Sequence, residues 1–299
     1  MERELWRILY LMVLSLDNCW SCKGVGYSDG VIVCTFLWAA AHDRPTVWAV
    51  DERNWPADRP LPFAIPSQPT MSRRLGTAGV LALLASVEKR FRDAARWALV
   101  EAIDGKPLPV GGHSTDPDAH WGQGVRGLAK GYKLYAIWSA SSAVPLAWEV
   151  RAMDVSEKRM ARVLIPRLAE VEGGGYLDGD GIYDGNALYD LAAGVNRQLV
   201  ANRRYPGTGL GHRRHSPHRL RSIQLLEGGG AFGQALHAAR DLIERKFGNL
   251  TGYGGGLQPL PAWVRRPRRV RLWVAAKLLL NAARIKRNER LEHEKQRAA

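Results

Sequence analysis

Three short stretches of the chain carry side chains whose types and spacing suit metal chemistry. The densest is Tyr176-Leu177-Asp178-Gly179-Asp180-Gly181-Ile182-Tyr183-Asp184-Gly185-Asn186, a brief apolar run that ends in carboxylates and glycines. Asp178, Asp180 and Asp184 offer hard oxygen ligands of the kind Mg²⁺ and Mn²⁺ prefer. Glycines at 179, 181 and 185 let the backbone turn sharply and come close to a ligand. An isolated Asp/Gly cluster commonly makes a solvated turn or a helix cap, so the metal reading depends on two further acids, Asp104 upstream and Glu244 downstream. Three carboxylates at one point repel one another and raise their own pKa values. A pair of divalent cations turns that repulsion into a binding site, and with ions about 3.5–4 Å apart such a site performs in-line phosphoryl transfer. Arg240 lies four positions before Glu244 on the same helical face, where its guanidinium would grip a phosphate.

Composition names the polymer that carries those phosphates. The chain has 299 residues, 46% of them hydrophobic, enough to bury a core, and a formal charge of +14. Residues 201–299 hold 21 Lys and Arg against 6 Asp and Glu, a balance of +15, which leaves 22 against 23, or −1, for residues 1–200. All the excess basicity therefore sits in the last third, the electrostatic footprint of a polyanion binder, with nucleic acid the commonest such partner. Cys19, Cys22 and Cys34 cannot build a disulfide framework and suit a reducing cytosol. The Cys19-x-x-Cys22 spacing has no second Cys pair or nearby His to complete a zinc site and is read as incidental. The apolar run Ile8–Leu16 is too short to span a bilayer and is followed by no cleavage signal, so a cytoplasmic, nucleoid-associated protein is expected. Gly122-Gln123-Gly124-Val125-Arg126-Gly127 fits the dinucleotide fingerprint, but it precedes a strand instead of following one, and no P-loop occurs.

These residues need elements to place them. Apolar spacing near 3.6 predicts helices over 5–16, 31–41 and 79–91, with a Pro-rich loop from Trp55 to Pro69. Thr70 or Ser72 is expected to cap a short helix presenting Arg73 and Arg74 near its N-terminus, the look of a recognition helix. Strands follow at 97–103, ending in a turn at Asp104-Gly105-Lys106-Pro107, and at 132–139 and 144–150. A helix capped by Ser156 runs to about Glu170 with Met160, Val163, Leu164 and Leu168 on one stripe. Then come the Tyr176 strand, a helix over 187–193, a strand over 198–201, the basic stretch 202–233, a helix over 235–248 stopped by Gly248, and a long helix from Val270 through Ile285. Three units are expected: a helical domain at 1–95, an α/β domain at 96–287 with a basic insertion at 202–233, and a charged, frayed tail at 288–299.

The β-β-β-α-β-α-β-α order, with acids at the ends of strands one and four and on the final helix, is the arrangement of an RNase H-like mixed sheet. Over roughly residues 66–287 the chain resembles the DDE transposases of bacterial insertion sequences. The resemblance rests on Ile103-Asp104-Gly105-Lys106, on Gly179 to Asn186, and on Arg240-x-x-x-Glu244-x-x-Phe247-Gly248. The second stretch is similar to the family's Asp-x-x-Tyr-Asp-x-Asn element, which selects Asp180 as the ligand and leaves Asp184 to support the turn. The third resembles the Tyr-x2-Arg-x3-Glu-x6-Lys signature, except that His237 stands in place of the Tyr and Thr251 in place of the Lys.

The resemblance implies a catalytic and metal triad of Asp104, Asp180 and Glu244 holding two Mg²⁺ or Mn²⁺ ions. It implies double-stranded DNA as partner, both element ends and target, and a homodimer in a synaptic complex. Candidate DNA contacts are Arg73, Arg74, Arg213, Arg214, Arg240 and Lys246, with residues 1–95 recognising the ends. A nuclease of the same fold without strand transfer, or a catalytically decayed DNA-binding protein, is the alternative.

Overall fold

Strand-forming and helix-forming stretches segregate along the chain into two units. The computed structural model describes residues 1–17, 26–57, 63–95, 98–212, 214–228, 230–239, 241–252, 256–257 and 259–298. Residues 1–94 and 250–299 make one unit and residues 95–249 the other. Helices α1 (Glu2–Leu16), α2 (Asp29–Ala41), α3 (Thr46–Ala49), α4 (Gln68–Arg74) and α5 (Ala78–Asp93) come first. Strands β1 (Val100–Pro109), β2 (His120–Gly124), β3 (Gly127–Ser139) and β4 (Ala147–Ala152) follow, then α6 (Glu157–Leu164), β5 (Gly175–Gly179), α7 (Asn186–Ala193) and β6 (Arg197–Ala201). Helices α8 (Pro217–Glu227), α9 (Ala231–Ala239), α10 (Asp241–Thr251) and α11 (Pro267–Ala298) complete the chain.

In the helical unit α1 turns Leu5, Leu9 and Val13 inward at every fourth position. Ser28 caps α2 by accepting from Val31 N–H, and α2 is buried along nearly its whole length. Trp6, Trp38, Trp48 and Trp55 pack edge to face or stacked around it. Lys277 of α11 is fully buried, where its ammonium donates to Ala40 O at 2.7 Å and Asp43 Oδ1 at 2.6 Å and lies over the Trp273 ring. The expected helices at 5–16, 31–41 and 79–91 are present. In α4, however, Ser67 occupies the cap position instead of Thr70 or Ser72, and Arg73 and Arg74 fall in the last turn instead of the first. Helix α11 continues to Ala298, through the stretch expected to fray, with i, i+4 pairing of Arg290 and Glu294 along it. Cys19 and Cys22 lie outside the described residues, and Cys34 is a buried free thiol.

In the α/β unit the strands run in the order β2-β3-β1-β5-β6, with β4 also on β3. Residues 127–131 of β3 pair with β2 and residues 132–137 with β4, so the two short strands share one edge. β1 and β3 are antiparallel, whereas β5 and β6 add in parallel on the other side of β1. This is the expected α/β, RNase H-like mixed sheet, with one more strand than the sequence predicted: β2 lies within the glycine-rich stretch and forms a hairpin with β3, turning at Val125 and Arg126. Alternate residues divide the faces. Ile103, Tyr135, Ile137, Leu177 and Leu199 face Met160, Leu164 and Leu168 and the α7 residues Leu188 and Tyr189. On the opposite face Phe232 of α9 meets Tyr176 and Phe247 of α10 meets Trp138, each edge to face.

Three further details differ from expectation. β1 does not stop at Asp104 but runs to Pro109. Val110 N–H bonds toward β3 and Leu99 O toward β5, so odd-numbered backbone groups point to the β5 side. β1 pairs with β5 only through Ala102, and Pro107 and Pro109, which lack an N–H, therefore face an open edge. Val163 is 38% exposed, because the buried stripe is Met160, Ala161, Leu164, Ile165 and Leu168, and Val163 falls beside it. The single helix expected at 235–248 is two helices, α9 and α10, and α10 passes through Gly248 to Thr251.

Candidate active site

Parallel pairing of β1 and β5 does the positioning. Val100 is registered with Tyr176 and Ala102 with Asp178; Asp104 lies two residues past that paired stretch, inside β1, and Asp180 directly follows β5. Asp104 is half-buried, and its Oδ1 accepts from Gly105 N–H at 2.7 Å. Asp180 caps a 3₁₀ turn over Gly181–Tyr183, its Oδ1 accepting from Ile182 N–H at 2.9 Å. The glycine at 179 is needed for this turn, since a Cβ there would fall 2.7 Å from the Tyr183 ring.

Tyr183 sits between the acids. Burial first, and then the charges of Glu157, Asp104 and Asp180, push its phenol well above the ordinary value, and Glu157 also hydrogen-bonds it. Glu157 therefore belongs to the same neighbourhood. It opens α6, accepts from Lys133 Nζ at 3.0 Å, and lies over Gly105, where a Cβ would be 3.1 Å from its Oε1. Sequence reasoning missed it; Ser156-Glu157 reads only as a helix cap with an acid in the first turn. Lys106, two residues past Asp104, has its ammonium pKa lowered by burial, with Asp104 opposing the shift.

Behind Asp180 the same element grips the basic stretch. Asp184 accepts from Arg219 Nε at 2.6 Å and Nη2 at 2.8 Å, and from Arg204 N–H at 3.2 Å. Burial alone would raise this carboxyl. The Arg219 and Arg204 hydrogen bonds, with the Arg219 and Lys158 charges, hold it below its usual range. Asn186 donates to Arg214 O and accepts from Ser216 N–H, both at 3.2 Å, while Ser216 Oγ donates to Asp190 Oδ1 at 2.5 Å. The segment 203–219 is thus tied by side chains to the turn after β5.

The remaining candidates are placed as follows. Glu244 is exposed in the first turn of α10. It lies three residues before Phe247, which packs on Trp138; Trp138 is registered with Ala102, so α10 crosses the face of the sheet that carries Asp104. Among the described residues no three His, Cys, Asp or Glu side chains come close enough together to hold a metal ion, so Glu244 does not join Asp104 and Asp180. Asp104 and Asp180 are hard carboxylates that fit a divalent cation in donor type. Lys246 donates to Ser142 O at 2.8 Å. Arg74 donates to Asp29 Oδ1 at 2.7 Å and Tyr27 O at 2.9 Å inside the helical unit, and Arg73 and Arg214 are exposed. Arg213, Arg240 and the His237 side chain lie outside the described residues.

A mixed sheet in the RNase H-like order, with one aspartate in β1 just past its pairing with β5 and another directly after β5, is the layout of a nucleic-acid-processing domain. Residues 99–279 match the model of the transposase DDE domain, well over half of the chain, and the chain belongs to that family. No curated protein and no solved structure matches it. Membership makes it a DNA-binding protein of transposition whose relatives are metal-dependent and use divalent ions. Among the described residues no helix is long and apolar enough to cross a membrane.

Proposed function

We propose that the protein is the transposase of an insertion sequence, which binds the terminal inverted repeats of its element, hydrolyses a phosphodiester at each end and transfers the freed 3′-hydroxyl to target DNA. The observation that supports this reading is that Asp104 and Asp180 both follow the parallel-paired stretch of β1 and β5 and that the charges of both reach Tyr183, inside the matched region. Asp104, Asp180 and Glu244 are the ligands assigned to two Mg²⁺ or Mn²⁺ ions, which when bound supply an activated nucleophile and neutralise charge on the leaving oxygen. The carboxylates orient that site, with Glu244 the third ligand from α10. Arg213, Arg214 and Arg240 hold the DNA backbone beside it, Lys246 steadies α10 and approaches the backbone from there, and Arg73 and Arg74 with residues 1–95 serve the element ends. Two copies of the chain pair two ends in a synaptic complex.

The test is cleavage and joining of a labelled duplex carrying the element's own ends, with Mg²⁺, Mn²⁺ or chelator, alongside calorimetric titration of Mn²⁺ into the protein. Asp104→Ala, Asp180→Ala and Glu244→Ala each abolish nicking and weaken Mn²⁺ binding while DNA binding in chelator persists. A mutant that still nicks removes that residue from the triad, and nicking without strand-transfer product identifies a nuclease. A second reading is favoured by His237 and Thr251 at the signature Tyr and Lys positions: a decayed enzyme that holds DNA without cutting it. Well-folded protein that binds the ends and never nicks establishes it, and His237→Tyr with Thr251→Lys are then the first restorations.

A further inference from the structure

His215 lies just ahead of α8, and both of its ring nitrogens are engaged. Nε2 is 2.7 Å from Leu210 O, an atom that only accepts, so the proton of the neutral ring sits on Nε2. Nδ1 is 2.8 Å from Nη1 of Arg219, a group that only donates, so Nδ1 presents its lone pair. The two partners thus fix one tautomer, and they fix the uncharged ring. Arg219 keeps its proton: its hydrogen bond to Asp184, ahead of every other influence, holds the guanidinium above its ordinary value. From Arg219 the chain of bonds continues to the turn after β5. Its Nε and Nη2 donate to the two oxygens of Asp184 at 2.6 and 2.8 Å, and Asp184 closes the 3₁₀ turn that Asp180 caps. Arg204, in the same basic segment as Leu210, also donates its N–H to Asp184, at 3.2 Å.

We infer that His215 is a proton-gated fastener of the basic segment 203–215: neutral, it ties the segment through Arg219 and Asp184 to the turn that carries Asp180, and protonated, it lets the segment go. A proton arriving at Nδ1 removes the acceptor from Arg219 and sets a positive ring against a guanidinium at 2.8 Å. A switch of tautomer gives no escape, because Leu210 O needs an N–H as much as Arg219 needs a lone pair. Imidazole ordinarily exchanges its proton between about pH 5 and 8. The sign follows: the tie is complete on the alkaline side of that range and is lost as pH falls through it. Around the ring stand Arg219 and His218 on α8, Arg214 in the segment, Asp184 in the turn, Lys158 of α6, which donates to Asp184 O at 3.2 Å, and Asp190 of α7, which accepts from Ser216 Oγ at 2.5 Å. Both carboxylates are already engaged, so the arriving charge adds to a basic surround. His215 is a positioning residue, acting on the Asp180 turn through Arg219 and on the basic side chains by fixing the segment that bears them. Its consequence for DNA rests on the reading of that turn and segment as one site, whereas the fastening itself needs neither metal nor DNA.

The experiment uses the full chain in chelator, without DNA and with ¹⁵N-labelled histidine. Long-range ¹H–¹⁵N correlation of the ring, assigned by its absence in His215→Gln, is expected to show a protonated Nε2 and an unprotonated Nδ1 at about pH 8. Amide exchange of peptides covering residues 202–212, corrected for its intrinsic pH dependence, is expected to lose about tenfold in protection between about pH 8 and about pH 5.5, the value of one hydrogen bond to a charged group. Peptides from β3 hold their protection over the same range. His215→Gln, which takes up no proton, gives one level of protection at both pH values. His215→Phe, which keeps the ring and loses both bonds, shows the released level at the higher pH already. A proton on Nδ1 in the alkaline spectrum, equal wild-type protection at the two pH values, or a step of the same size in His215→Gln each overturns the proposal. The step is expected also in Glu244→Ala. Its presence in a wild-type protein that never nicks would strike the reading of the triad and support this one, and its absence in a protein that nicks would do the reverse.

Discussion

Asp184→Ala isolates the link between the metal-side turn and the basic segment. The wild-type side chains of Arg219 and Asp184 are 15% and 6% exposed, so the pair is largely out of water. Removing one partner of a fully buried pair costs about 3–5 kcal/mol, because the other charge is left uncompensated. Here Arg219 keeps some access to solvent and His215 Nδ1 lies 2.8 Å from its Nη1, so the expected loss is about 2–4 kcal/mol. Asp184→Asn retains an acceptor oxygen and loses less, about 1–2 kcal/mol. Asp184→Ala with Arg219→Ala together cost less than their sum, since the second change removes the stranded charge. Urea unfolding reads these values, and trypsin digestion reads the local consequence, faster cleavage after Arg203, Arg204 and Arg214. The pH dependence has a definite sign. The folded carboxyl lies below its ordinary value of 3.8, so its contribution is complete above that value and drains away as pH falls through the folded pKa. Additive single-mutant costs, or an unfolding midpoint in Asp184→Ala equal to wild type, would refute the argument.

Two predictions concern the other side of the site. Glu157→Gln leaves Lys133, whose side chain is 9% exposed, without a counter-charge and makes the hydrogen bond from Tyr183 a neutral one; calorimetric unfolding is expected to drop by about 1–3 kcal/mol, with Glu157→Asp intermediate and Mn²⁺ binding weakened. Alkaline titration reports the buried phenols. Burial above all raises Tyr135 and Tyr183, and raises Tyr189 to about 12, so the folded protein holds these protons where the unfolded chain has released them. Stability therefore falls as pH rises above 10, by about 1.4 kcal/mol per pH unit for each such tyrosine, and absorbance at the phenolate band should rise in a late step that coincides with unfolding.

Much of the fold was legible because its signals are local. The period of Leu5, Leu9 and Val13 marks α1, and the continuous apolar run Leu134–Trp138 marks β3 whatever lies against them. What failed to show was set by neighbours. Asp104-Gly105-Lys106-Pro107 has the composition of a turn, and it remains strand because β3 pairs with it through Pro109 while β5 stops short, leaving the prolines on an unpaired edge. β2 was hidden because its glycines read as a loop; two of them lie where the chain approaches closely, a Cβ at Gly122 falling 2.5 Å from Met153 O and one at Gly124 falling 2.9 Å from the Ala129 Cβ.

The site divides along the same line. Asp104 and Asp180 each follow the paired part of a strand that sequence can find, and the parallel pairing of β1 with β5 carries the charges of both to Tyr183. Glu157 gives no such signal, because its role comes from Tyr183 and Lys133, which converge on it from 26 and 24 residues away in sequence. Glu244 is the converse case. Its spacing to Arg240 and Phe247 identifies it by type, while its position depends on how α10 lies across the sheet, and that is decided by contacts as remote as Lys246 with Ser142, 104 residues apart. Arg74 shows the same limit for charge. An Arg-Arg pair at a helix end looks like an offer to DNA, yet Asp29, 45 residues earlier, holds one of the two guanidinium groups within the protein. Residue type and spacing therefore nominate chemistry, and long-range pairing decides which nominated groups are brought to it.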